Sequence, residues 1–123
     1  GKERAPVEYD ADWIVSRSEP LIRPKVRELI GFLRTAATDE CEFVYRPRDM
    51  IVRYRGVRCI RPHVQKKRIY VHVTESGWVP GIPIDPETDL GSPEFAGEFE
   101  AQFSRTRKRI DEKLERMAER AAR

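Results

Sequence analysis

The chain has 123 residues, 39% hydrophobic and 37% charged, with a formal net charge of +3. That length suits one domain around one modest core. No apolar run approaches the ~20 residues needed to cross a bilayer, and no signal-peptide hydrophobic region stands out, so no membrane partner is expected. The two cysteines, Cys41 and Cys59, form no CxxC pair, which fits the reduced thiols of a cytoplasmic protein better than a disulfide framework. The first residue is Gly1 rather than Met, so the sequence reads as a piece of a larger protein, one domain over 1–123.

Residues 1–8 are polar and read as an extended arm. Ala11 to Val15, carrying Trp13 and Ile14, suits a short helix. Ser18-Glu19-Pro20 has the composition of a helix start, with Ser as cap and Pro in the opening turn. Ile22, Val26, Leu29, Ile30, Leu33 and Ala37 then recur at helical spacing, which predicts an amphipathic helix to about Ala37. Thr38-Asp39-Glu40 ends that pattern.

From Glu42 the period falls to two. Phe43 and Tyr45 alternate with polar neighbours, and Pro47-Arg48-Asp49 reads as a turn. Met50 to Arg55 is rich in strand formers, with Gly56 placed for a tight turn or bulge. Val57 to Ile60 reads as a short strand ended by Pro62. After Lys66 and Lys67, Ile69, Val71 and Val73 face one way while Arg68, Tyr70, His72 and Thr74 face the other. Short links imply antiparallel neighbours.

Residues 76–93 read as a long Gly- and Pro-rich loop containing Trp78, a length that usually serves binding or covers a face. Two patterns compete in the next segment. Phe95, Phe99 and Phe103 fit a helix at i, i+4, i+8, whereas Phe99, Ala101 and Phe103 alternate with polar residues as in a half-buried strand. The strand is preferred over Glu98–Ser104, since Ser104 then caps the final helix, whose apolar stripe is Ile110, Leu114, Met117 and Ala121. The fold class expected is α+β: N-terminal helices, a four- to five-stranded mainly antiparallel sheet and a C-terminal helix, with helices on the Ile69/Val71/Val73 face.

The segment Arg46–His72 carries nine of the chain's Lys and Arg residues against the single acid Asp49. Displayed on pleated strands with Tyr45, Tyr54 and Tyr70 between them, these cations form the electrostatic footprint of a polyanion-binding surface. The alternative is a solvated face balanced by acids of the loop and last helix, such as Asp85, Glu87, Asp89, Glu98 and Glu100.

Arg55-Gly56-Val57-Arg58-Cys59-Ile60-Arg61-Pro62-His63, followed by Gln65-Lys66-Lys67-Arg68-Ile69-Tyr70-Val71-His72-Val73, resembles an uncharacterised small α+β domain family described as "predicted transport protein". Gly97-Glu98-Phe99-Glu100-Ala101-Gln102-Phe103-Ser104 and the helix after it are similar to that family's later segment, a glycine, an acid, a strand, a serine and a closing helix. The likeness extends in patches over roughly residues 19–121. It implies the same fold, a strand at Glu98–Ser104, and Lys66, Lys67 and Arg68 as a basic lead-in to the following strand. Family members are found fused to nuclease or restriction-type proteins. The family's His-Trp pair before the glycine has no counterpart here, where Pro93-Glu94-Phe95 stands instead, so no role is transferred from it. In layout the chain is also similar to "double-wing" DNA-binding domains.

Other chemistry finds little footing. Cys59-x3-His63 with Cys41 and His72 matches no zinc spacing, and no cofactor is indicated. No Glu-x-Lys or Asp-x-Lys pair sits on a strand as metal-dependent nucleases require, and there is no phosphate loop, nucleophile elbow or HExxH. No catalytic residue is assigned. The expected function is an accessory domain binding DNA or RNA, with Arg53, Arg55, Arg58, Lys66, Lys67 and Arg68 neutralising phosphates and Tyr70 and His72 (or Tyr54) stacking on bases. The rival is an interaction or dimerisation module docking an acidic protein partner. A third reading is a small-ligand or enzymatic domain with a pocket under the Trp78 loop.

Overall fold

The computed structural model describes residues 7–123. The arm read at residues 1–8 therefore falls outside the described residues except for Val7 and Glu8, both exposed and in neither helix nor strand. Eight elements follow in order: α1 (Ala11–Arg17), α2 (Arg23–Ala36), β1 (Cys41–Tyr45), β2 (Met50–Tyr54), β3 (Val57–Val64), β4 (Ile69–Val73), β5 (Ile82–Ile84) and α3 (Pro93–Ala121). The strands form one antiparallel meander in the order β1-β2-β3-β4-β5. This is the expected α+β architecture.

The helix pair at the start differs in detail from the sequence reading. The Asp10 side chain caps α1 by accepting from the Trp13 amide at 2.8 Å. Ser18 closes α1 instead of opening α2, and its hydroxyl donates back to the Ile14 carbonyl. The proline in the first turn of α2 is Pro24, not Pro20. Arg23 ties the corner by donating to the carbonyls of Ser18 (2.8 Å) and Ser16 (3.2 Å), satisfying acceptors that the end of α1 leaves open.

All three helices pack on one sheet face. Val26, Leu29, Ile30 and Leu33 of α2 and Phe95, Phe99, Phe103 and Ile110 of α3 share a single core with Val52, Ile60, Ile69, Val71, Val73, Ile82 and Ile84. Phe32 meets Phe95 and Phe99 edge-on, with centroids 5.1 and 5.2 Å apart, and Phe103 lies 5.5 Å from Phe99. Such pairs add about 0.5–1.5 kcal/mol each beyond the area they bury.

Glu98–Ser104 is helix, against the expected strand. The Ser92 side chain accepts from the Phe95 amide and Pro93 occupies the first turn, so α3 starts at Pro93 and runs 29 residues. Its buried positions are Phe95, Phe99, Phe103, Thr106 and Ile110. That stripe repeats every three or four residues, and it overrides the local alternation of Phe99 and Phe103 with polar neighbours. The cations Arg105, Arg107, Lys108 and Arg109 consequently sit mid-helix, where the positive end of the helix dipole does not oppose them. The place in the sheet that Glu98–Ser104 was expected to take is filled by β5, from within the predicted 76–93 loop. Pro83 lies in β5 on the sheet edge, where a missing backbone N–H is tolerated.

Two local devices set which side chains share a face. Arg55 (φ 50°) and Gly56 (φ 81°) form the two-residue β2–β3 turn, both in the left-handed region that such hairpins require. A bulge then breaks the β2–β3 register: Tyr54 pairs with Val57 and Arg53 with Arg58, but Val52 pairs with Ile60. Cys59 is the extra residue, fully buried, its thiol 3.3 Å from the Val52 carbonyl. Burial pushes that thiol up to about 12. Without the bulge, Arg58 and Ile60 would point the same way; with it, Ile60 enters the core and Arg58 faces out.

Candidate nucleic-acid interface

The sheet face turned away from the helices is built from β2, β3 and β4. Register places Arg53 opposite Arg58, Arg61 opposite His72 and His63 opposite Tyr70. Each of these residues is exposed or half-buried. Like charges directly opposed across a ladder are unfavourable, so the Arg53–Arg58 pair is a local electrostatic cost. Glu42 relieves part of it from β1, 3.7 Å from Arg53.

The predicted site residues divide into two groups. In the first, each cation already has an acid. Arg53 has Glu42. Arg55 lies in the turn, off the sheet face, and pairs with Glu40 at 3.5 Å and with Asp111 of α3 at 2.8 Å. Arg68 makes a two-pronged pair with Asp85 (2.6 and 3.1 Å), which, with the Tyr70 hydroxyl, holds its pKa well above the ordinary guanidinium value. In the second group, Arg58 on the bulged strand and Lys66 and Lys67 in the β3–β4 turn are exposed and have no ion-pair partner among the described residues. The turn itself is closed by the Gln65 amide donating to the Arg68 carbonyl at 2.8 Å.

The aromatic groups are arranged differently from the expectation. Tyr45 and Tyr54 do not join the displayed face: Tyr54 is only 7% exposed, belongs to the core, and donates to Asp111 at 2.9 Å, while Tyr45 packs against the core's edge and accepts from Arg34. Strand alternation puts both on the Met50/Val52 side, and stacking by Tyr54 is ruled out by its burial. Tyr70 and His72 do share the outer face, half-buried. The chain after β4 folds back over them, with His72 Nδ1 3.0 Å from the Val79 carbonyl and Gly81 seated against both side chains. A Cβ on Gly81 would stand 2.7 Å from the Tyr70 Cβ and 3.1 Å from the His72 ring.

Sequence reasoning missed two members of this surface. Arg61 lies on the outer face of β3 and, like Arg58, has no ion-pair partner among the described residues. Trp78, whose loop was expected to cover a pocket, is 79% exposed. The depression bounded by Arg58, Arg61, His72 and Trp78 holds only about 50 Å³, far below the ~300 Å³ lower end of ligand pockets. Trp78 is thus a projecting ring beside two arginines, and no ligand-sized pocket lies beneath it. The signal that could have found this was the pairing of Trp78 with Gly77 (φ 72°), the signature of a tight exposed turn.

Nothing in the set of candidate metal ligands converges: among the described residues no three His, Cys, Asp or Glu side chains come together. Among the same residues, no helix is long and apolar enough to cross a membrane. Compared with protein-family models, with curated proteins and with solved structures, the chain matches none.

Proposed function

We propose that the chain is a cytoplasmic accessory domain that binds nucleic acid on the outer face of its sheet, largely without regard to sequence. Arg58, Arg61, Lys66 and Lys67 neutralise phosphates, and Trp78 stacks on an unpaired base. The observation that carries this reading is the pairing of Arg58 and Arg61, which lack internal acids, with a 79% exposed indole on the same side of the sheet, beside the equally unpaired Lys66 and Lys67 of the β3–β4 turn. Arg53, Arg55 and Arg68 contribute less, because contact with phosphate would cost each the acid it already holds. Tyr70 and His72 serve as the floor on which the Trp78 loop rests. The resemblance to domains fused with nuclease-type proteins is in keeping with such a role.

The test is anisotropy of a labelled oligothymidylate titrated with the protein over a salt series. For single strands, log affinity falls by roughly 0.7 per phosphate neutralised for each unit of log salt, so four contacts give a slope near −3. Absence of binding at low salt, or a flat salt dependence, defeats the proposal. An acidic polypeptide offered in place of the oligonucleotide distinguishes the rival partner, since charge pairing alone makes no use of Trp78.

A further inference from the structure

A larger cavity, about 350 Å³, lies on the other side of the sheet, between the α1–α2 corner and the ends of β2 and β3. Its volume falls within the range of small-molecule sites. Aliphatic side chains form the floor: Ile14 from α1, Leu29 from α2, Met50 from β2 and Val64 from β3. Around the opening stand Arg17, Arg48 and Lys66, all exposed.

The walls are held by interactions independent of any ligand. The Pro47 carbonyl, in the β1–β2 turn, accepts from the Trp13 indole N–H at 3.0 Å and from the Arg17 guanidinium, which pins that turn to α1. Arg46 grips Asp49 through two bonds of 2.6 and 2.7 Å, so this acid at the opening is already neutralised. Arg48 and Lys66 have no acid within ion-pair distance among the described residues. Glu19 is the only other acid among the residues lining the cavity, set against Arg17, Arg48, Arg61 and Lys66.

An apolar floor beneath a positively charged rim is complementary to one class of ligand. We infer that this cavity binds a small organic anion with an aliphatic body, its chain against Ile14, Leu29, Met50 and Val64 and its carboxylate at Arg48 and Lys66. Burying the chain supplies the affinity, and the charge-assisted hydrogen bonds fix the orientation. The cavity opens away from Arg58 and Trp78 but shares Lys66 and Arg61 with the proposed phosphate contacts, so its test is made at Arg48, which the nucleic-acid reading does not use.

Decanoate is the probe, with decyltrimethylammonium as the counterpart of opposite charge, both followed by calorimetric titration of the whole chain. Decanoate should bind with one-to-one stoichiometry, and the cation should bind at least about tenfold more weakly. Arg48→Glu, at an exposed turn position, should weaken decanoate by about tenfold or more while leaving the thermal midpoint in place. Val64→Trp, at a half-buried site, should block the cavity from its open side, and Arg48→Glu decides alone if that variant fails to fold. No saturable decanoate binding in the millimolar range, equal affinity for the two probes, or unchanged affinity in Arg48→Glu overturns the assignment.

Discussion

The two halves of the basic segment differ in a way that their residue count conceals. Arg46, Arg53, Arg55 and Arg68 each have a carboxylate of this same chain within 2.6–3.7 Å. Arg48, Arg58, Arg61, Lys66 and Lys67 have none among the described residues. The first set serves the domain itself, locking turns and joining β2 to α3. Only the second set is free to spend its charge on a partner. A run of cations in a sequence therefore overstates the charge available for recognition by whatever fraction the fold neutralises internally.

Removing each set in turn separates their roles. Arg58/Lys66/Lys67→Ala should cost about a hundredfold in oligothymidylate affinity at low salt and make the salt dependence roughly two units shallower. Arg53/Arg68→Ala should cost no more than about threefold, since those groups are engaged elsewhere. Equal losses in the two variants would erase the distinction.

Next in size is Gly81→Ala. The added methyl meets the Tyr70 Cβ at 2.7 Å, a root atom that cannot swing aside, so the Trp78 loop must lift. A loss of about 1–3 kcal/mol in urea denaturation is expected; a neutral result would mean that the loop is not seated on Tyr70 and His72. Trp78→Ala tests the outer side of the same loop. It should reduce oligonucleotide affinity by about 1–3 kcal/mol with no change in the urea midpoint, because the ring is 79% exposed.

The smallest effect concerns the internally paired set. The Asp111 carboxyl is held below its usual range chiefly by the Arg55 hydrogen bond, with help from Tyr54 and against the opposing effect of burial. At Glu75 burial is the largest influence and pushes the carboxyl upward, but the Arg109 guanidinium at 2.7 Å, a backbone hydrogen bond and the Lys113 charge together outweigh it, and the net direction is down. A carboxylate whose folded pKa is depressed contributes stability above its unfolded range and loses it as pH falls through the folded value, so this contribution disappears below about pH 4. Asp111→Asn should flatten that acid limb of the urea midpoint while leaving oligonucleotide binding at neutral pH untouched. An acid limb as steep as that of the parent chain would remove Asp111 from the account.

Much of the fold could be read in advance, and the failures have identifiable causes. The α2 stripe and the Ile69/Val71/Val73 alternation were legible because a single period governs each. The first half of α3 was ambiguous because Phe99 and Phe103 satisfy both periods. The continuation that decides it passes through Thr106, a polar residue buried with its hydroxyl 3.4 Å from the Val73 carbonyl. β5 was hidden by its three-residue length and its proline. At the candidate site, Lys66 and Lys67 were singled out by charge and by the family resemblance. The neutralisation of Arg55 was not, because Asp111 is distant in sequence and only α3 brings it near.

Cys59 makes β3 a strand read in two frames. Residues on the Ile60 side of the inserted position follow one odd–even rule for inside and outside, and residues on the Arg58 side follow the opposite one. Forcing Cys59 into a regular ladder, with no bulge to absorb it, would turn the guanidinium of Arg58 toward the hydrocarbon of the helices, whereas deleting it would leave Arg58 opposite Arg53 and Ile60 opposite Val52 in a single frame. The bulge, with no contact to any partner, thus keeps the Arg58 charge on the outside of the protein.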